Sequence, residues 1–252
     1  MRRQGLSFLL QGLPKAGKST LGDSGPRPRL VLDIEGTATW TPSAKTEWNP
    51  MAGPPPSPGR HVTAGYGQPS VLPDWESCLV DVMDMSTLLA AYRVLASGQH
   101  PFNSLSVDSL TEGQQRLVDK LNPGMKKMEY DQWGTLLRQL SGMTRQFRDL
   151  IKHPSKPLWS VAFIAGTHMD KSTGKWRPLI QGQASDYLPY YVDVEGYLNA
   201  SPNGDRDLLI GPNPLYETGE RVGGRLPNVM RIGYGGRPGY SLEDMLRQVL
   251  SS

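Results

Sequence analysis

The amino-acid sequence predicts an α/β domain with a mostly parallel, twisted sheet and helices on both faces. Three observations carry that expectation. Short apolar runs recur along the chain, as strands buried on both faces require. Segments with apolar residues at helical spacing alternate with them, and that alternation builds parallel sheets through crossover helices. The first apolar run also feeds a glycine-rich turn that opens a helix.

That first run is Leu6-Ser7-Phe8-Leu9-Leu10-Gln11, read as a buried strand. The turn is Gly12-Leu13-Pro14-Lys15-Ala16-Gly17-Lys18-Ser19, which fills every fixed position of G-x-x-x-x-G-K-[ST]. Its glycines let the backbone wrap closely, with successive N–H groups pointing inward at a polyphosphate. A helix opening at Thr20-Leu21 adds a positive N-terminal dipole, and Gly22, Gly25 and Pro26 stop it early. Gly12, Leu13, Pro14, Lys15, Ala16, Gly17, Lys18, Ser19 and Thr20 are the expected nucleotide-binding set. Lys18 would reach the β- and γ-phosphates, and Ser19 would ligate Mg²⁺.

The remaining elements follow in order. Arg29–Gly36 reads as a second strand, apolar and then abruptly acidic. Thr41–Pro73, with Pro54-Pro55-Pro56 and several glycines, is expected to be a long surface loop without regular structure. Val80-Asp81-Val82 is a short strand. Met85–Ala96 is a helix with Leu88, Leu89, Tyr92 and Leu95 on one face. Phe102–Ser109 is a strand ending on a carboxylate. Tyr130–Lys152 is the strongest helix, with Trp133, Leu136, Leu137, Leu140, Met143 and Phe147 in register. Its Arg138, Arg145, Arg148 and Lys152 read as a solvated basic face, with nucleic-acid binding as the alternative. Trp159–Gly166 is another apolar strand. The region from Asp186 to Asp207 suggests short strands or a hairpin around Tyr190–Val194, and Ser241 caps a closing helix to Leu250.

The 252 residues suit one large domain. Against 24 acidic residues stand 27 basic ones, a net +3, so any nucleic-acid interaction must rest on a local patch. The single cysteine, Cys78, excludes an internal disulfide framework and suits a reducing cytoplasm. No apolar run is long enough to span a membrane, and the amino end lacks the shape of a signal peptide, so a cytoplasmic protein is expected.

Three features narrow the phosphate-binding class. Asp108 ends a strand expected beside the one feeding the glycine-rich turn, where it can hold the Mg²⁺ hydration shell. Asp33 and Glu35 stand two apart at the end of the second strand and are expected on one face. Glu35 would polarise the attacking water, the alternative being that the pair caps a turn or meets a surface arginine. Thr167-His168 follows the Trp159–Gly166 strand and could report the γ-phosphate, or be a structural hydroxyl and a surface histidine.

Together these residues resemble the RecA-like branch of P-loop ATPases. Glu35 in Leu32-Asp33-Ile34-Glu35 matches the catalytic glutamate after the second strand, and Val107-Asp108-Ser109 the Walker B element. His168 takes the place of the polar γ-phosphate sensor, where the family usually has Gln. The chain is more closely similar to small phage-encoded RecA-core ATPases, the Sak-type recombination proteins and related phage nucleotide-binding proteins. The run Pro26-Arg27-Pro28-Arg29-Leu30-Val31-Leu32-Asp33-Ile34-Glu35-Gly36 carries that similarity, with Asp108-Ser109-Leu110-Thr111-Glu112 and Pro178-Leu179-Ile180-Gln181-Gly182. It spans about Leu6 to Pro227 and leaves out Thr41–Pro73.

The resemblance implies a single RecA-like domain over residues 1–252 that binds ATP and Mg²⁺ and hydrolyses ATP. It implies a homo-oligomeric ring or filament acting on single-stranded DNA in recombination or replication, with a single-strand-binding protein as a possible partner and the host cytoplasm as its location. DNA would meet the loop after the sensor strand through Lys171, Lys175, Trp176 and Arg177. Those residue types suit it, since cations follow phosphates and an indole stacks on a base, although a charged hairpin tip looks alike in sequence. Arg221 in Glu220-Arg221-Val222-Gly223 resembles an arginine that reaches a neighbour's nucleotide, with an intrachain ion pair as the alternative; Gly219-Glu220 replaces the Lys-Asn that precedes it in the family. Two rivals stand: a small-molecule kinase on the same fold, and a nucleotide-gated scaffold or annealing protein without significant turnover.

Overall fold

The computed structural model describes residues 5–57, 75–124 and 127–251. β1 (Leu6–Gln11), β2 (Arg29–Asp33), β3 (Lys45–Glu47), β4 (Ser77–Asp81), β5 (Ser104–Asp108) and β6 (Ser160–Ala165) are parallel strands of one sheet, which β9 (Val194–Ala200) joins in parallel beside β1. The order across this part is β9-β1-β6-β5-β2-β4-β3. β10 (Arg206–Leu209), β12 (Val229–Tyr234) and β13 (Arg237–Pro238) extend it beyond β9 as an antiparallel meander, and β11 (Gly219–Glu220) also pairs with β9. β7 (Thr167–Asp170) and β8 (Lys175–Pro178) form a separate hairpin.

The strands are apolar because the sheet is covered on both sides. Leu9, Leu32, Val107 and Phe163 meet Leu88 and Leu95 of α2 (Met85–Ser97), Leu117 of α3 (Leu110–Leu121) and Leu136, Leu140 and Phe147 of α4 (Tyr130–Asp149). On the other face Phe8, Leu10 and Ala162 meet Leu21 of α1 (Lys18–Gly22) and Leu242, Met245, Leu246 and Val249 of α6 (Leu242–Leu250). α5 (Ala184–Tyr187) leads into β9 through a 3-10 turn. The short P-loop helix, both core helices and the closing helix lie where the sequence places them. Ser241 caps α6 by accepting the Asp244 amide at 3.1 Å.

Several expectations change. The strand ending on Asp108 is not beside β1, because β6 lies between them. Part of the Thr41–Pro73 segment is regular: Lys45–Glu47 forms the edge strand β3, pairing in parallel with β4. From residue 58 to 73 that segment lies outside the described residues. The hairpin expected between Asp186 and Asp207 forms, but from Val194–Ala200 and Arg206–Leu209, because Leu188–Tyr191 coil into a 3-10 turn. Tyr130–Lys152 is an α-helix only to Asp149, with a 3-10 turn over Leu150–Lys152.

Candidate nucleotide site

The glycine-rich turn runs from the carboxyl end of β1 onto the amino end of α1. Its glycines answer to geometry. A Cβ on Gly12 would lie 2.6 Å from the Leu198 carbonyl oxygen, and Gly17 has φ +100°, a region L side chains rarely adopt. Lys18 folds back over the turn and donates to the carbonyls of Gly12 at 3.0 Å and Leu13 at 2.9 Å. Burial holds its pKa below the usual lysine range, against the opposing charges of Glu35 and Asp108. Those carboxylates are therefore near enough to act on the ammonium, Asp108 from a buried position and Glu35 from an exposed one.

Asp108 ends β5 and is 1% exposed. It hydrogen-bonds the Ser19 hydroxyl, and its Oδ2 has no hydrogen-bond partner among the described residues. Burial pushes its pKa up to about 6; the Ser19 hydrogen bond pulls the other way, and Glu35 and Asp33 push further up. A buried carboxylate oxygen without a donor, beside a hydroxyl of the P-loop, is the donor set a hard divalent cation takes. Ser19 and Asp108 therefore fit Mg²⁺. Among the described residues no group of three or more His, Cys, Asp and Glu side chains forms a protein-only metal cage.

Glu35 comes to this point by its backbone. The amides of Ile34 and Glu35 both donate to the Asp108 carbonyl, at 2.6 and 3.2 Å. The Ser109 hydroxyl then donates to Glu35 Oε1. Asp33 does not join it. β2 ends at Asp33, so the two-residue strand period does not carry through to Glu35. Asp33 instead accepts the amides of Gly36, Thr37 and Ala38 at 2.8, 3.2 and 2.9 Å, capping its own turn. Burial raises its pKa and these three bonds oppose the rise.

The other predicted residues divide. Thr167 Oγ1 donates to Gln11 Oε1 at 3.1 Å, which ties the end of β6 to the residue before Gly12. His168 is the next residue of β7, half-buried, and its Nδ1 has no partner among the described residues. Lys171 is exposed at the hairpin tip, with Lys175 and Trp176 half-buried on β8. Arg177 is not free to follow a phosphate backbone: Glu217 and Asp186 hold it at 2.7 Å and Asp170 at 3.4 Å. Arg221 is exposed, donates its side chain to the Tyr190 and Pro189 carbonyls and its amide to the Asp193 carbonyl, and so lies just ahead of β9, away from its own P-loop. It makes no intrachain ion pair among the described residues. Along the α4 basic face, Arg145 and Arg148 lie 5.6 and 6.0 Å from the Tyr191 ring centre, and Arg148 also pairs with Asp149 at 2.7 Å.

Two residues at the site were not foreseen. Gln11 is buried and joins Thr167 to the Glu217 carbonyl, to which its Nε2 donates at 2.7 Å. Arg206 packs against Gly17, where a Cβ on the glycine would meet its Nε at 2.9 Å. No local signal marks Arg206, because only the pairing of β9 with β1 and β10 brings it there.

A P-loop at the carboxyl edge of a parallel sheet, with a buried acid and a second carboxylate beside it, defines a P-loop nucleotide-binding protein. The AAA_24 family model, described as an AAA domain, matches residues 4–222. The chain belongs to that family of AAA-type P-loop ATPases. No curated protein matches it. Among the described residues no helix is long and apolar enough to cross a membrane.

Proposed function

We propose that the chain is a RecA-like ATPase that binds ATP with Mg²⁺, hydrolyses it, and acts on single-stranded DNA in phage recombination or replication, as a homo-oligomeric ring or filament. The observation that carries the catalytic part is the meeting of Lys18, Ser19, Asp108 and Glu35 at one edge of the sheet. A catalytic carboxylate just after β2, followed across the sheet by Asp108-Ser109, is the RecA-like arrangement of the resemblance.

The residues divide the chemistry. The P-loop amides and the Lys18 ammonium, released from the carbonyls of Gly12 and Leu13, hold the phosphate chain. Ser19 and Asp108 hold the metal, which neutralises charge on the phosphate oxygens when bound. Glu35, aimed by Ser109, orients a water and takes its proton as that water attacks the γ-phosphorus and the bond to ADP breaks. Arg221 of a neighbouring subunit compensates developing charge, and Lys171, Lys175 and Trp176 meet DNA.

The test is ATP hydrolysis by the purified protein with and without single-stranded DNA, in parallel with Glu35→Gln. DNA-stimulated turnover that Glu35→Gln abolishes supports the reading. ATP binding with assembly but no phosphate release points instead to the nucleotide-gated scaffold. Small-molecule phosphorylation is a second reading, favoured by one observation: a cavity of about 610 Å³ opens at the end of β2, lined on either side of Glu35 by Asp33 and Gly36 and further by Glu47, Trp48, Leu79 and Asp81. Turnover indifferent to DNA but stimulated by a nucleoside would favour it.

A further inference from the structure

Arg206, exposed to solvent, lies against the P-loop and has no charge partner among the described residues. It begins β10, where it pairs with Ala200 of β9 and Gly233 of β12. Its side chain leaves the meander and lies along Gly17; a Cβ built on that glycine would meet its Nε at 2.9 Å and its Cδ at 3.1 Å. Two acids flank it in sequence, and neither neutralises it. Asp207 takes Arg231 Nε at 2.5 Å, and Asp205 takes Arg231 Nη1 at 3.5 Å. Among the described residues no ion pair or hydrogen bond holds the Arg206 guanidinium. Arginines near carboxylates normally find one. Here both neighbouring acids serve another arginine, and the free cation is turned onto the glycine whose turn cradles an anion.

We propose that Arg206 supplies, from the same chain, a second cation for the nucleotide's phosphate chain, beside Lys18. This rests on the reading of the P-loop as a nucleotide site. The planar guanidinium offers a fork of donors to phosphate oxygens, which an ammonium does not. Phosphate is favoured over the base because the contact is to Gly17, inside the phosphate-binding turn, and not to an apolar wall. The assignment gives the meander a role: it carries a ligand-binding residue that the parallel core lacks.

The test is equilibrium binding of ATP by calorimetry, with inorganic tripolyphosphate as a competitor that carries no nucleoside. Wild type, Arg206→Gln, Arg206→Lys and Lys18→Ala are compared, and thermal melting checks folding. Arg206→Gln is expected to weaken both ATP and tripolyphosphate about tenfold or more, as the loss of a charge-assisted hydrogen bond implies, and Arg206→Lys to recover part of it. Its melting point should not move, since the guanidinium holds nothing in the fold. Weaker ATP binding with unchanged tripolyphosphate competition would overturn the assignment in favour of a base contact. If Arg206→Gln binds ATP as wild type does while Lys18→Ala does not, Arg206 has no such role and the nucleotide site stands. If wild type binds no nucleotide, the reading of the site fails, and this inference with it.

Discussion

Ser109 donates its hydroxyl to the carboxylate of Glu35, so the residue after β5 aims the acid that follows the end of β2. The same hydroxyl accepts the Glu112 amide at 3.3 Å and caps α3. One side chain thus starts a helix and points a carboxylate. Ser109→Ala should separate these roles. Loss of the cap costs about 1 kcal/mol and lowers the melting point by a few degrees. Loss of the aim should cut turnover about tenfold with little change in ATP affinity, because a misplaced base lowers the rate and not the binding. Ser109→Thr, which keeps the hydroxyl, should restore most of both. A Ser109→Ala variant with unchanged turnover would show that Glu35 needs no such support.

Lys18 spends its donors on two loop carbonyls that nucleotide would displace it from. Burial depresses its pKa, and the charges of Glu35 and Asp108 oppose that fall. Lys18→Ala should leave the fold intact, because the bonds it loses lie within one turn. It should also abolish measurable ATP binding and turnover. Removal of Mg²⁺ with a chelator should stop hydrolysis by the wild type while ADP remains bound, and thermal shift assays with ADP distinguish the two cases. Unaltered ATP affinity in Lys18→Ala would place the phosphate site elsewhere.

Burial pushes the pKa of His100 down to about 4, with Lys156 and His153 adding to the fall. Its ring stacks on Phe102 at 5.8 Å between centres. The folded chain therefore keeps His100 neutral while the unfolded chain protonates it near the ordinary value of 6.5. Between those values the unfolded state binds more protons, so this residue's contribution is present above pH 6.5 and is lost as the pH falls toward 4. Asp108 and Glu195 act in the opposite sense, since burial raises both carboxyls and their protonation favours the folded state. The whole-protein acid limb is thus a difference of terms, and only a variant isolates one. His100→Phe should lose less stability than wild type between pH 7 and pH 5, measured as the shift in urea midpoint. An equal loss in both would mean that His100 protonates in the folded state.

The parallel core was legible because its signals are local. Leu6–Gln11, Arg29–Asp33 and Ser160–Ala165 are buried along their whole length and read as apolar runs, and the P-loop is a contiguous motif. α3 was not foreseen. Its buried side is Leu110, Gly113, Gln114 and Leu117, so a glutamine and a glycine interrupt the apolar stripe. The signal that marks it is the cap, Ser109 with Glu112 three residues on. β3 is three polar residues at the sheet edge, which leaves no apolar pattern to read. At the site, Gly12 to Ser19, Asp108 and Glu35 could be read because type and spacing carry the chemistry. Arg206 could not, because strand order brings it to Gly17. Asp33 looked like a partner of Glu35 only for as long as the strand was taken to continue.

Arg177 decides how the hairpin is to be understood. The resemblance implies that it is one of four DNA-facing residues, yet its guanidinium is shared among Asp170, Asp186 and Glu217, and Glu217 raises its pKa above the usual arginine range. It thus joins the hairpin to the segment ahead of β11 and to α5. Removing it leaves three carboxylates facing one another, one of them half-buried near Glu195, so Arg177→Ala should destabilise the fold by about 1–3 kcal/mol. Lys171 and Lys175 carry no such load: among the described residues neither forms an ion pair. Lys171→Ala with Lys175→Ala should leave the melting point within about a degree, as surface changes do. If the hairpin tip meets single-stranded DNA, that double variant should weaken DNA binding and lower the steepness of its salt dependence by about one to two counterions. Filter binding across a salt series reads both quantities. A double variant that binds DNA with the wild-type affinity and salt slope would remove the hairpin from the interface and leave Arg177 as a purely structural clasp.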